Sequence, residues 1–198
     1  MNKEAVLLGF LMVCLTPFIA YSGSDHSYKS KYVGQEKREI KSLSEADIED
    51  LMNGRGWGLA KAAELNGVPG PLHLLEMKEE IGLSGEQITK IEDLFHIMKK
   101  QAIPLGLGLI ELERKLNSHF AKGTITEKLL LELLEEIVQV RKQLRYVHLS
   151  AHLKTPNILT TEQIALYNKL RGYSSDDPCE NIPKGHDPEM WKRHHNCP

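Results

Sequence analysis

Two long apolar repeats with helical spacing constrain the fold of this sequence more than any other feature. In residues 88–116, and again in residues 130–151, apolar side chains recur at alternating intervals of three and four. That spacing places them on one stripe of a helix and indicates that a partner helix lies alongside. A short break at residues 121–123, Ala-Lys-Gly, separates the two repeats. Long helices joined by so short a turn pack antiparallel, so the sequence predicts an all-α fold built on a long antiparallel helical hairpin.

Residues that stand equally far from this turn, on either side of it, should face each other. This pairing predicts that Glu86 lies near Thr161 and that His96 lies near Ala151. Pro104 falls inside the first repeat, where a proline costs a helix about 3 kcal/mol. The repeat nevertheless keeps its phase across Pro104, so we expect one bent helix and not two separate ones.

The chain divides into five segments. Residues 1–22 contain a nearly apolar run behind Lys3, and the run ends in a small-x-small pattern typical of a cleaved secretory signal. We therefore expect the protein to be exported. The other four segments are a flexible leader (23–42), short helices with Gly- and Pro-rich turns (43–70), the main helical domain (71–172) and a tail containing Cys and His residues (173–198).

Net charge and motif content narrow the function. The formal net charge is −2, whereas nucleic-acid-binding proteins usually carry a strong basic excess. The Gly-rich segment 54–58 does not follow an apolar strand, as a phosphate-binding loop would. The sequence also lacks a His-Glu-x-x-His or a Gly-x-Ser-x-Gly motif. We therefore expect a binding protein that is not an enzyme, does not bind nucleic acid and requires no cofactor.

Two capping boxes flank the predicted hairpin. Leu83-Ser84-Gly85-Glu86-Gln87 opens the first long helix, and Leu159-Thr160-Thr161-Glu162-Gln163 opens a shorter helix behind the second one. In each box a Ser or Thr side chain caps the helix, and a Gln three residues later reaches back to a free backbone donor. We expect a structural role for the motif residues Leu83, Ser84, Gln87, Leu159, Thr160 and Gln163.

These paired motifs resemble the Leu-Thr-x-x-Gln motifs of the Spy/CpxP family of periplasmic proteins, with Ser84 where Thr is usual. Relatives of that family include ZraP and the CnrX-type heavy-metal sensors. The resemblance covers about residues 70–172 and implies an elongated four-helix subunit that forms a curved homodimer. It also implies a periplasmic location.

The resemblance implies two kinds of function. The first is an ATP-independent chaperone or envelope-stress accessory protein, whose partners are unfolded or misfolded envelope proteins or a membrane-bound signalling protein. The alternative is heavy-metal sensing or metal buffering, as in CnrX and ZraP. A purely structural module of the envelope is a third possibility.

Apolar residues outside the two repeats predict a second apolar surface, which forms either a dimer interface or an exposed binding face. These residues are Leu94, Ile97, Leu107, Ile110, Leu129, Leu131 and Leu134. Basic residues cluster towards the open half of the hairpin and are candidates for client binding, although an ordinary solvated face would look the same. They are Lys99, Lys100, Arg141, Lys142 and Arg145.

Histidines supply a candidate metal site. His148 and His152 stand four residues apart, so two imidazoles lie side by side on one helix face. His96 from the facing helix, and His73 from the first helix of the domain, are candidates for further ligands. The ion would be Zn, Ni, Co or Cu. The other interpretation is a pair of surface histidines that bind no metal.

The tail offers a second set of candidate ligands. Cys179 and Cys197 are the two cysteines that remain after signal cleavage, and in an oxidising compartment such a pair usually forms a disulfide. If they stay reduced, the thiols are either free or part of a metal site. His186, His194 and His195 are possible tail ligands in either case.

Overall fold

The computed structural model describes residues 28–174, 179, 182, 187–194 and 196–197. The predicted signal segment 1–22 lies outside these residues, as do His186 and His195. The chain splits into two units, residues 1–34 and 35–198. The described part of the first unit, residues 28–34, is exposed throughout and includes a turn.

The described residues of the second unit form helices and no strands, as the sequence predicts. Two of the helices are short 3-10 turns, at Gln35–Lys37 and Thr155–Asn157. The α-helices are α1 (Glu45–Met52), α2 (Lys61–Glu64), α3 (Pro71–Glu76), α4 (Lys78–Ile81), α5 (Gly85–Ala121), α6 (Glu127–Lys154), α7 (Thr161–Leu170) and α8 (Pro188–His194).

The long pair α5 and α6 forms the centre of the fold. α5 has 37 residues and α6 has 28, and the five-residue linker 122–126 turns the chain back so that the two helices pack side by side. Their buried stripes follow the predicted repeats. The core residues contributed by the pair include Met98, Ala102, Leu109, Ile137, Leu144, Val147 and Ala151. α5 is continuous through Pro104, which confirms the prediction of a single helix.

The short helices cover α5. α1 begins at the capping box of Ser44 and Asp47 and approaches α5 so closely that a Cβ at Gly106 would lie 2.2 Å from the Leu51 carbonyl oxygen. Ile40, in the segment predicted as a flexible leader, is fully buried in the same core. The first helix of the domain, which carries His73, ends at Met77, whose φ of −114° and ψ of 24° lie outside the helical region, and α4 follows directly.

A second, smaller core closes the end of the pair that carries the capping boxes. It contains Leu74, Ile81, Ile91 and Tyr167. The buried Tyr167 hydroxyl donates to Glu64 at 2.8 Å, and this carboxylate also accepts from the guanidinium of Arg171 and the hydroxyl of Tyr173. The Glu64 network therefore ties α7 to α2.

In the tail, the sulfur atoms of Cys179 and Cys197 lie 2.05 Å apart, the distance of a disulfide. This agrees with the pairing expected from the sequence. Within the part of the chain that the structure describes, no helix combines the length and the apolar character needed to cross a membrane.

Candidate functional site

The two capping boxes meet, as expected from the pairing of residues that stand equally far from the turn. Ser84 and Thr160 each accept a hydrogen bond from the backbone N–H three residues on, and the backbone N–H groups of Ser84 and Thr160 donate to Gln87 and Gln163. The two glutamine amides also bond to each other, with Gln87 Nε2 2.8 Å from Gln163 Oε1. The sequence pattern does not reveal this direct pair, because either box is complete without it. The two glutamines of the motifs therefore join the N-termini of α5 and α7.

The face of α6 that points away from the core carries a second apolar stripe. At 3.6 residues per turn, its members fall within about one third of the helix circumference, opposite the buried Leu133, Ile137 and Leu144. The exposed fractions are 57% for Leu131, 41% for Leu134, 58% for Val138, 66% for Tyr146 and 71% for Leu153. We call these five residues the outer stripe. Lys142 and Arg145 are exposed on the same face.

The apolar residues predicted to lie outside the repeats divide into three groups. Leu94 and Ile110 are buried in the main core, so neither is available to a partner. Leu129 is half-buried. Ile97, Leu107, Leu131 and Leu134 are exposed. The exposed members lie on both long helices, and those on α6, Leu131 and Leu134, belong to the outer stripe.

The basic residues predicted to bind clients are not equivalent. Lys100, Lys142 and Arg145 are exposed. The guanidinium of Arg141 lies 5.1 Å from the centre of the Trp57 ring and 3.8 Å from the buried carboxylate of Glu113. The ammonium of Lys99 lies 5.7 Å from the centre of the Phe95 ring. Arg141 and Lys99 therefore have intramolecular contacts, whereas the other three face solvent.

A cleft of about 440 Å³ lies between the Gly-rich loop, the start of α3 and the long helix pair. Trp57, Phe95 and Met98 form much of its apolar wall. Three of the four histidines predicted as ligands line it: His73, His148 and His152. The fourth, His96, is exposed and is not part of the described lining, because it lies on a different face of α5 from Phe95 and Met98.

Each of the three cleft histidines has a distinct environment. His148 is 3% exposed, and its Nε2 has no hydrogen-bond partner among the described residues. Burial, and to a lesser extent the neighbouring His152, lower the pKa of His148 from 6.5 to about 4. His152 Nδ1 lies 2.9 Å from the Val68 carbonyl oxygen and therefore carries the proton of that hydrogen bond. His73 Nδ1 lies 2.8 Å from a carboxylate oxygen of Glu76.

Gly70 makes the position of His152 possible. A Cβ at Gly70 would lie 2.7 Å from both Cε1 and Nε2 of the His152 ring, so only glycine leaves room for the imidazole. The contact joins the turn before α3 to the last turn of α6. Sequence spacing alone gave no sign of this contact.

The candidate ligands are not assembled around one point. In the described part of the chain, no three His, Cys, Asp or Glu side chains lie close enough together to hold a metal ion jointly. In the tail, His194 lies at the end of α8, and the other two tail histidines lie outside the described residues. The cleft therefore presents two neighbouring imidazoles on α6 and a third on α3.

Comparisons with known proteins give no relative: no family model matches the chain, and neither a curated protein nor a solved structure matches it.

Proposed function

We propose that this protein is a periplasmic, ATP-independent chaperone or envelope-stress accessory protein of the Spy/CpxP type, and that it binds clients on the outer stripe of α6. The observation that carries the proposal is the outer stripe itself. Five large apolar side chains, 41–71% exposed, follow one face of a 28-residue helix whose opposite face is buried in the core. A row of exposed apolar side chains on one helix face is typical of a site for another protein.

The physical chemistry of the stripe suits an unfolded client. Burial of apolar surface stabilises a complex by about 25 cal/mol per Å² and requires no particular sequence in the partner. Lys142 and Arg145, exposed on the same face, attract acidic segments and accelerate the encounter. Binding of this kind needs no nucleotide, because capture and release depend on how much apolar surface the client exposes.

The proposal includes a four-helix subunit that works as a curved homodimer after export. The cysteine pair at disulfide distance supports an oxidising compartment. Sedimentation equilibrium of the mature chain tests the dimer. A mass of two chains at micromolar concentration is expected, and a single-chain mass at that concentration would remove the dimer from the proposal.

Client binding is tested by the aggregation of a chemically denatured protein diluted into buffer with EDTA. We expect the mature chain to suppress light scattering at several-fold molar excess. The variant Leu134→Gln/Val138→Gln keeps helix-forming residues on α6 but removes two of the five apolar side chains of the stripe, so it should suppress aggregation much less. Gln143→Ala, at an exposed position on another face of α6, is the matched control.

Two results would contradict the proposal. The first is no suppression by the unsubstituted chain. The second is equal suppression by the stripe variant and the unsubstituted chain, which would place client binding elsewhere on the molecule.

A further inference from the structure

We propose that the cleft binds one divalent transition-metal ion through the imidazoles of His148, His152 and His73. The inference does not depend on client binding, because the cleft and the outer stripe share no residue. It gives the alternative function, metal sensing or buffering, a specific site.

His152 is already oriented as a ligand. Its Nδ1–H donates to the Val68 carbonyl, so Nε2 carries the lone pair. Metal-binding histidines usually have this arrangement, in which one ring nitrogen is held by a carbonyl or carboxylate and the other binds the ion. Gly70 supplies the space that the ring needs.

His148 supplies an unsatisfied nitrogen. Its Nε2 is buried and has no hydrogen-bond partner within the described chain, a condition that is unfavourable for a buried polar atom. His148 lies one helical turn before His152, the spacing at which two imidazoles on one helix share an ion. A bond to a metal ion would satisfy the Nε2 of His148.

His73 is the ligand that has to move. It lines the same cleft, but its side chain is 33% exposed. The hydrogen bond from Nδ1 to Glu76 leaves Nε2 as the ligand atom, with a carboxylate behind the ring. Because no three of these ligands surround one point, binding requires the His73 side chain to move together with Glu76, so that the hydrogen bond between them is kept.

The donor set decides the class of ion. Three neutral imidazoles suit Zn²⁺, Co²⁺, Ni²⁺ and Cu²⁺, and they leave a fourth position for water. Magnesium and calcium prefer oxygen ligands and should not compete. The ion would join α3 to the C-terminal half of α6.

The test is titration of Zn²⁺ by calorimetry and of Co²⁺ by visible absorption, which reports the coordination geometry. The chain used is the full mature protein with His186→Ala, His194→Ala and His195→Ala, so that tail histidines do not contribute. We expect one ion per chain and a Co²⁺ spectrum of low coordination number. His73→Gln and Gly70→Ala should each weaken binding at least tenfold, the first by removing a ligand and the second by displacing His152.

Controls separate ligand loss from unfolding. His96→Ala removes an exposed histidine outside the cleft and should leave the affinity unchanged. Helical circular dichroism verifies the fold of every variant, and His73 can be substituted without opening the core. Glu76→Gln, which keeps His73 but weakens its carboxylate support, should lower the affinity roughly 10–100-fold.

The proposal is overturned if no ion binds, or if the affinity and the Co²⁺ spectrum are the same in His73→Gln and Gly70→Ala as in the parent chain. Equal weakening by His96→Ala would also overturn it, since the ion would then bind surface histidines in general. None of these results bears on client binding, because the aggregation assay contains EDTA.

Discussion

Gln87 and Gln163 form a reciprocal amide pair that joins the N-termini of α5 and α7. Gln87 Nε2 donates to Gln163 Oε1 at 2.8 Å, and Gln163 Nε2 lies 3.1 Å from Gln87 Oε1. Each amide also donates to a carbonyl of a neighbouring loop, Gln87 to Ile158 and Gln163 to Gly82. The same two side chains therefore complete two capping boxes and connect two segments that are distant in sequence.

Removal of either glutamine should destabilise both caps. We expect Gln87→Ala and Gln163→Ala each to lower the free energy of unfolding by about 1–2 kcal/mol, since each removes a cap and leaves its partner amide unpaired. In the double variant the loss should fall short of additivity by about 0.5–1 kcal/mol. Urea unfolding measures the free energy of unfolding of the two single variants and the double variant. The variant Gln101→Ala, at an exposed position on α5, is the control. Strict additivity would show that the amide pair contributes nothing.

Substitution of two glycines of α5 by alanine should have opposite effects on the stability of the fold. A Cβ at Gly106 would lie 2.2 Å from the Leu51 carbonyl oxygen, so Gly106→Ala must push α1 away and should cost about 1–3 kcal/mol. A Cβ at Gly108 would meet no described atom within 4 Å, so Gly108→Ala should stabilise α5 by about 0.5–1 kcal/mol. Thermal unfolding of the two variants measures both changes in stability. Equal effects would mean that α1 does not pack on Gly106.

His148 should make the fold sensitive to mild acid. Its pKa is about 4 in the folded protein, compared with 6.5 for an ordinary histidine, so below pH 6.5 the unfolded chain binds the proton more readily. Stability is therefore lost as the pH falls from 6.5 towards 4, by about 2 kcal/mol between pH 7 and pH 5. Urea unfolding in EDTA measures this loss. His148→Leu should be less sensitive to pH over that range by the same amount, and parallel pH profiles would contradict the assignment.

The long helices and their contacts could be predicted because they depend on local patterns. The three–four repeats, the stop at Gly123 and the capping boxes each act over a few residues, and together they place α5, α6 and α7. The continuity of α5 through Pro104 also follows from the phase of its repeat. The cysteine pairing required only the number of cysteines and the compartment.

The site could be predicted only in part, because its geometry depends on the short helices. Leu94 is buried in the same core as Ile40, Leu43 and Leu51, which lie in segments before α5 that carry no long repeat. The neighbours of His152 are Val68 and Gly70, more than 80 residues away in sequence. Nor does helical spacing reveal that Arg141 is held by Trp57 and Glu113.

The most direct test of client binding on the outer stripe is site-specific photo-crosslinking on α6. A photoreactive aromatic residue replaces Val138 on the stripe or Gln143 on the neighbouring exposed face. The mature chain is then irradiated with a denatured client in the presence of EDTA. We expect strong crosslinks to the client from position 138 and few from position 143, and we expect excess unsubstituted protein to compete with the crosslinks from position 138. Equal yields at the two positions, or a higher yield at 143, would contradict the assignment of the outer stripe as the client-binding surface.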